Sequence, residues 1–167
     1  MSSLHLRALE PEDIESIYEW ENDQTLWTSS NAHVPFSKHV LTQYIIESQR
    51  QDIHVAKQLR LVIEVNAQTV GCIDLCNLDF FNHRGEVSIL INKDFRNRKY
   101  ATSAITALCT YAKDDLQMHQ LFAEILTENT ASQRVFEKCG FQRTGVKKDW
   151  IMQNGEYKDV ALYQKTL

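Results

Sequence analysis

A strand, a basic loop and a helix follow one another between residues 86 and 116, and this unit constrains the fold more than any other part of the chain. Residues 86–92 are mostly aliphatic and β-branched, which predicts a strand. Residues 93–99 are polar and strongly basic. In residues 100–116 the apolar side chains recur at helical spacing. We therefore expect a strand that runs through a basic loop into the N-terminus of a long helix.

The junction between this loop and the helix is suited to an anion such as a pyrophosphate. The first N–H groups of a helix have no partner within the helix, and the helix dipole favours negative charge there. Three neighbouring side chains add formal positive charge. A solvated basic loop that binds nothing is the alternative interpretation. The candidate contacts are Arg96, Asn97, Arg98, Lys99, Tyr100, Ala101 and Thr102.

The other segments predict a single domain that spans residues 1–167. A short strand at 4–8 precedes a helix opened by Pro11, and Ser37 begins a second helix. Later segments are a hairpin at 59–78, a strand at 121–127, a helix at 131–138 and a hairpin at Asn154-Gly155. The order β-α-α-β-β-β-α-β-α-β-β indicates an α/β (mixed α+β) fold, in which helices pack on a mixed sheet.

Charge and composition exclude several functional classes. The net charge of −4 argues against a general nucleic-acid binder, because such proteins need a basic surface. No stretch approaches the ~20 apolar residues of a membrane helix, and the first ten residues have no apolar run typical of a secretory signal. We therefore expect a cytoplasmic protein. The four cysteines lack zinc-site spacing, so we expect reduced core thiols and no bound metal.

Three segments resemble the GNAT acetyltransferases. Residues 96–102, Arg-Asn-Arg-Lys-Tyr-Ala-Thr, resemble the Arg/Gln-x-x-Gly-x-Gly/Ala signature that binds the CoA pyrophosphate in that family. Residues 129–141 resemble the second signature, in which an Asn leads into a helix that ends in Gly-Phe. Residues 6–13 resemble the opening strand and helix. The closing hairpin is similar to that of the ribosomal-protein N-terminal and spermidine acetyltransferase branches.

The resemblance implies a particular fold and a particular donor. A GNAT fold has a twisted mixed sheet of about seven strands flanked by about four helices, and its fourth and fifth strands splay apart. The pantetheine arm of acetyl-CoA would pair with strand backbone in that opening, as an added strand does. The chain would also form a homodimer. Further CoA contacts implied by the resemblance are Ile89, Leu90, Ile91, Asn129, Ser132, Phe136 and Lys138.

Two positions depart from the family pattern. Lys99 stands where the first Gly of the pyrophosphate signature falls, and it can present its N–H if its dihedral angles are ordinary helical ones. Asn97 tolerates a left-handed conformation if the loop needs one. Phe136 stands where the spermidine enzymes have a proton-donating Tyr. These departures support a second hypothesis, a catalytically weak acyl-CoA-binding or sensor domain.

The implied reaction is direct attack of a primary amine on the thioester of acetyl-CoA. An alkylammonium must first lose a proton, and Glu86 is the candidate base, directly or through water. A backbone N–H near Ile89–Leu90 would stabilise the thioester oxygen. Ser132 is the candidate partner of the CoA sulfur. The alternatives are a Glu86 that is merely exposed or only holds a substrate cation, and a Ser132 that is a surface residue.

The acceptor is a cation in this interpretation. Residues 8–37 contain no Lys or Arg and seven acids. Trp20, Glu21 and Trp27 lie in this segment and could bind an alkylammonium by charge and cation–π contact. Helix-dipole acids and core tryptophans are the alternative. A polyamine, another small amine and a protein N-terminus all remain candidate acceptors.

Overall fold

The computed structural model describes residues 4–26 and 34–167, which form one seven-stranded sheet with helices on both faces. The strand order is β1-β2-β3-β4-β5-β7-β6. The strands are β1 (Leu4–Ala8), β2 (Leu59–Val65), β3 (Gln68–Asp79), β4 (Arg84–Ile91), β5 (Gln120–Leu126), β6 (Gln142–Gln153) and β7 (Glu156–Thr166). The predicted mixed sheet of about seven strands is confirmed.

Five α-helices are present in the described residues, four of which the sequence predicts. They are α1 (Ile14–Asn22), α2 (Lys38–Ser48), α3 (Ile53–Ala56), α4 (Tyr100–Asp114) and α5 (Thr130–Lys138). The N-cap predicted at Ser37 is confirmed, since its side chain accepts a hydrogen bond from the Val40 N–H at 3.2 Å. The additional helix, α3, is a single turn that is too short to carry an apolar periodicity.

Two hydrophobic clusters cover the two faces of the sheet. The larger one packs α4 and α5 on one face and includes Ile105, Leu108 and Phe136. The smaller one packs α1 and α2 on the other face and includes Ile17 and Ile45. Alternate residues of β4 point to opposite faces, so Val87 joins the first cluster and Leu90 the second. In the part of the chain that the structure describes, no helix is long and apolar enough to cross a membrane.

Strands β4 and β5 are parallel and soon separate. Their ladder consists of three pairs, which are Arg84↔Gln120, Gly85↔Leu121 and Glu86↔Phe122. Beyond these pairs β4 stays bonded to β3 as far as Ile91, and β5 stays bonded to β7 as far as Leu126. The predicted opening between the fourth and fifth strands is therefore confirmed, and its closed end lies at Glu86.

Strand β6 is long and carries a bulge. It has 12 residues and leads into the turn at Asn154-Gly155, where the sequence predicts a hairpin. Its pairing with β7 shifts between Lys147 and Ile151, where three residues of β6 face only Asp159. A bulge of this kind bends the strand and changes the direction of its side chains.

Candidate active site

The walls of the opening are the two diverging strands. Ile89, Leu90 and Ile91 line β4 beyond the last pair with β5, and all three are half-buried. On this stretch the backbone groups that face β5 have no ladder partner in β5. Such groups can pair with an extended ligand, as an unpaired sheet edge does. The opening therefore has the chemistry that the amide groups of a pantetheine arm require.

A close approach of β3 shapes the same wall. Gly71 lies opposite Ile91, and a Cβ atom at Gly71 would lie 2.1 Å from the Leu90 carbonyl oxygen. Only a glycine leaves room for that carbonyl. The missing side chain permits the close approach of the two backbones at a point where β4 is no longer paired with β5. The sequence alone does not predict this role of Gly71, because an isolated glycine in a strand has several explanations.

The basic loop follows β4 directly and leads into α4. The Asn92 side chain accepts a hydrogen bond from the Asp94 N–H at 3.2 Å and starts a short 3-10 turn. Arg96 folds back so that its Nε donates to the Ile91 carbonyl at 3.1 Å. Arg98 lies over the Phe95 ring at 5.5 Å. These contacts hold two exposed guanidinium groups beside the wide end of the opening.

Lys99 has a left-handed backbone conformation. It has φ 63° and ψ 9°, so it is left-handed rather than helical, as is Asn97 with φ 63°. The condition of ordinary helical dihedral angles at Lys99 is therefore not met, and the left-handed conformation that Asn97 was expected to tolerate is present. Lys99 is the N-cap of α4 and makes no side-chain cap, so the N–H groups of Tyr100, Ala101 and Thr102 stay available to an anion.

Glu86 lies at the closed end of the opening. Its Oε2 accepts a hydrogen bond from the Asn77 Nδ2 at 2.6 Å. Burial raises the pKa of Glu86 above its ordinary value, and the neighbouring Glu124 carboxylate raises it further, while Asn77 and Lys147 act in the opposite direction. A carboxylate with a raised pKa accepts a proton more readily, which suits a general base.

Helix α5 brings the second signature to the site in part. The Asn129 side chain accepts a hydrogen bond from the Ser132 N–H at 3.1 Å, so Asn129 caps the helix. Ser132 is half-buried in the first turn. Phe136 is only 2% exposed and packs edge-on against Phe141 in the core. At the other end of α5, the Cys139 Sγ contacts the Thr102 carbonyl in the first turn of α4, and the preceding residue, Lys138, is exposed.

The residues expected to bind the acceptor are only partly where a ligand could reach them. Trp20 is 6% exposed and belongs to the cluster under α1 and α2, although its Nε1 has no hydrogen-bond partner among the described residues. Glu21 accepts a hydrogen bond from Arg60 at 2.5 Å, and Arg60 also binds Asp74. Trp27 lies outside the described residues. Two of the three candidates, Trp20 and Glu21, therefore contact residues that are distant in sequence.

One group of side chains near the opening was not predicted from the sequence. Glu124 of β5 binds the ammonium of Lys147 from β6, and that ammonium lies 4.6 Å from the centre of the Trp150 ring. An acidic residue inside a buried strand is a signal for Glu124, but its partners are more than twenty residues away. Local patterns cannot find such pairs.

The chain matches the family model described as an acetyltransferase (GNAT) domain over residues 3–142. The chain belongs to the GNAT acetyltransferases. GNAT enzymes transfer an acetyl group from acetyl-CoA to an amine, and this chain is an acyl-CoA-dependent N-acetyltransferase of that family.

Two curated GNAT relatives and one solved structure extend over nearly the whole chain. The provisionally named ribosomal N-acetyltransferase YdaF of Bacillus subtilis is 29% identical over 162 residues, covering 95% of this chain and 88% of the relative. The spermidine N(1)-acetyltransferase of Vibrio cholerae is 25% identical over 160 residues, covering 95% and 90%. A crystal structure of spermidine N-acetyltransferase from Vibrio cholerae with CoA and spermine superposes with a TM-score of 0.85 at 24% identity, covering 98% and 95%.

Proposed function

We propose that this GNAT enzyme acetylates a primary amine of a small polycationic acceptor, within a ternary complex that forms in the opening between β4 and β5. The observation that carries the proposal is the position of Glu86, a half-buried carboxylate at the closed end of that opening. The wide end adjoins the basic loop and the uncapped terminus of α4. Donor and proton acceptor would therefore meet along a single strand.

Acetyl-CoA would lie along β4. Its pyrophosphate would contact the N–H groups of the first turn of α4 together with the cationic side chains of the loop. Its pantetheine arm would pair with the backbone of Ile89, Leu90 and Ile91. Lys138 would add charge near the same turn, and Asn129 and Ser132 would border the arm at the start of α5. Phe136 contributes a core surface beneath this region rather than a polar group.

The chemical step needs one proton acceptor and one electrophile. Glu86 takes a proton from the acceptor ammonium, directly or through water, and the free amine attacks the thioester carbonyl. The new C–N bond forms, the C–S bond then breaks, and the second proton of the attacking nitrogen goes to the leaving sulfur or to solvent, which releases the acetylated amine and CoA. A backbone N–H near Ile89–Leu90 stabilises the oxyanion between these events. The Ser132 hydroxyl would hydrogen-bond to the departing sulfur.

A covalent route through the nearby cysteine is unfavourable. Cys76 pairs with Glu86 across β3 and β4 and is half-buried. Burial raises the pKa of Cys76 to about 12, and the Glu86 carboxylate acts in the same direction. The thiolate is the nucleophilic form of cysteine, so Cys76 remains an unreactive thiol at neutral pH. Direct attack by the acceptor is consistent with this environment.

The choice of acceptor is supported by the relatives and by the charge of the chain. The Vibrio cholerae relative is a spermidine N(1)-acetyltransferase, and the net charge of −4 favours a cationic ligand. A protein N-terminus is the second candidate, because the Bacillus subtilis relative bears the name of a ribosomal N-acetyltransferase. Glu21 shares its charge with Arg60, so we assign it a supporting role at the acceptor side.

A panel of amines tests the proposed function. Release of CoA thiol from acetyl-CoA would be measured with spermidine, spermine, 1,6-diaminohexane, hexylamine and peptides with free N-termini. We expect turnover with the polyamines and diamine. Turnover confined to the peptides would contradict the small-amine acceptor. Tight CoA binding without turnover on any amine would instead support the acyl-CoA sensor.

We further propose that the protein is a cytoplasmic homodimer. The cysteines within the described residues are free thiols, which suits a reducing compartment. Exposed Met152 and Tyr157 on the closing hairpin give an apolar surface that a second copy could cover. A Vibrio cholerae spermidine N-acetyltransferase has been described as a dodecamer, so larger assemblies occur among structural neighbours. Light scattering after size-exclusion chromatography distinguishes dimer from monomer and dodecamer.

A further inference from the structure

The ammonium of Lys147 is held between a carboxylate and an aromatic ring. Its Nζ binds Glu124 Oε1 and lies 4.6 Å from the centre of the Trp150 ring. The Lys147 and Glu124 side chains are 34% and 25% exposed, so solvent and ligands can reach the pair. A carboxylate with an adjacent aromatic face is the combination that proteins use to bind alkylammonium groups. A lysine side chain ends in such a group.

This group of side chains lies on the same face of the sheet as Glu86. Phe122 is paired with Glu86, and directly paired residues point to one side of a sheet. Glu124 lies two residues further along β5 and therefore shares that side, beyond the point where the strands separate. Sheet dimensions put the two carboxylate-bearing positions about 8 Å or more apart. The influence of Glu124 and Lys147 on the pKa of Glu86 agrees with this proximity.

The bulge in β6 brings Trp150 to this position. The three residues of β6 that face only Asp159 include Asp149, whose φ of 48° is unusual for a residue other than glycine. The Asp159 carboxylate fixes the bulge by accepting the Asp149 N–H at 2.9 Å and the Lys148 Nζ at 2.7 Å. A regular strand would point residues 147 and 150 to opposite faces. The strained bulge instead lays the Trp150 ring beside the Lys147 ammonium.

We propose that Glu124 and Trp150 bind the non-reacting ammonium of a diamine or polyamine acceptor, and that the Lys147 ammonium occupies this subsite until the acceptor displaces it. The inference rests on the proposed function and adds residues to the same active site. Lys147 keeps the Glu124 carboxylate paired while the site is empty. The acceptor then exchanges one alkylammonium for another, while its reacting amine lies at Glu86.

This arrangement selects acceptors that carry two charges. An amine with an uncharged tail cannot replace the Lys147 ammonium, because doing so would leave the half-buried Glu124 without a cation. A second ammonium at the correct distance replaces it without that cost. The subsite therefore distinguishes 1,6-diaminohexane from hexylamine, two probes that differ only at the distal end.

The test compares KM for these two probes at saturating acetyl-CoA. Glu124→Gln is expected to raise KM for 1,6-diaminohexane about 10-fold, since a partly buried charge pair is worth about 1.4 kcal/mol, and to leave KM for hexylamine within about twofold. Trp150→Leu should raise KM for 1,6-diaminohexane about 3-fold, because the variant loses a cation–π contact at an exposed site. Lys147→Met removes the occupant and should lower the diamine KM about 5-fold.

Matched controls separate this role from a structural one. Glu156→Gln removes the exposed carboxylate that binds Lys158 on β7, and it should leave the KM of both amines unchanged. Unchanged melting temperatures and KM for acetyl-CoA verify folding of each variant. An equal effect of Glu124→Gln on both amines, or a raised diamine KM in Lys147→Met, would overturn the subsite while leaving the acetyltransferase proposal intact.

Equilibrium binding keeps the inference testable if neither probe is turned over. Calorimetric titration of 1,6-diaminohexane into the CoA complex measures the subsite without chemistry. We expect weaker binding in Glu124→Gln by about 10-fold and tighter binding in Lys147→Met. Absence of turnover on every amine contradicts the proposed function. Identical diamine affinities in the wild-type protein and the Glu124→Gln variant contradict the subsite.

Discussion

Glu86 has lost part of its hydration, and no guanidinium or ammonium of the described residues is in direct contact with it. Burial raises its pKa, and the Asn77 amide, which donates to the carboxylate, limits that rise. A base with a raised pKa is protonated over a wider range at low pH. Activity that depends on the ionised form is therefore lost as pH falls through the raised pKa of Glu86.

Glu86→Gln should lower kcat/KM for the acceptor by about 100-fold or more and remove one ionisation from the acidic limb of the pH profile. Asn77→Gly is the companion variant. It retains the left-handed backbone (φ 48°) but deletes the hydrogen bond to the carboxylate. The acidic limb should then move to higher pH. An unaltered rate and profile in Glu86→Gln would remove Glu86 from the mechanism.

Lys99 combines a useful charge with an unfavourable backbone conformation. A residue with a Cβ atom at φ 63° costs about 1 kcal/mol more than glycine does. We therefore expect Lys99→Gly to be more stable than Lys99→Ala by about 1 kcal/mol in urea denaturation. Both variants lack the ammonium, so their affinities for CoA should be equally reduced. Equal stability of the two variants would indicate that the loop relaxes to another conformation.

At the scale of single elements, β4 depends on the absence of a side chain in β3. A methyl group at Gly71 would collide with the Leu90 carbonyl, and a backbone atom cannot move aside without shifting the strand. Gly71→Ala should lower the free energy of unfolding by about 2 to 3 kcal/mol and weaken CoA binding. Gly145→Ala is the control, because nothing lies within 4 Å of its added Cβ, and denaturation should show a change within about 0.5 kcal/mol.

The sequence predicts those elements whose signals are local. The strand–loop–helix unit, the Ser37 cap and the opening between β4 and β5 follow from periodicity, capping and the family resemblance. The bulge at Asp149 could not be predicted, because it is fixed by a carboxylate on the next strand. Glu21 looks like a free acid in sequence, yet its partner Arg60 is 39 residues away. Long-range ion pairs of this kind decide which acids face a ligand.

At the scale of the whole molecule, the sheet consists of two groups of hydrogen-bonded strands that are joined by only three residue pairs. Strands β1 to β4 form one group, and β5 to β7 form the other. A bound pantetheine arm would add hydrogen bonds across the gap. Ligand binding also stabilises the native state, by about 2.7 kcal/mol at a CoA concentration 100 times Kd. The coenzyme should therefore stabilise the junction between β4 and β5, where the sheet has the fewest residue pairs.

Hydrogen exchange measures this effect directly. Amides of β4 beyond Glu86 that face the opening should exchange quickly in the free protein and become protected with CoA. Adenosine 3′,5′-bisphosphate lacks the pantetheine arm, so it should leave those amides unprotected. Equal protection by both ligands would show that the arm does not pair with β4.

The opening between β4 and β5 is wedge-shaped, and this shape limits the length of the acyl group that it can hold. It narrows from the loop to Glu86, where the paired backbones of Glu86 and Phe122 close it. In the proposed complex, an acyl group carried inwards on the pantetheine arm would meet that closed end, so each added methylene would have to displace backbone rather than a side chain. We expect kcat/KM to fall steeply from acetyl-CoA to butyryl-CoA. Because main-chain hydrogen bonds set this limit, side-chain truncations near the site should not enlarge the range of acyl donors.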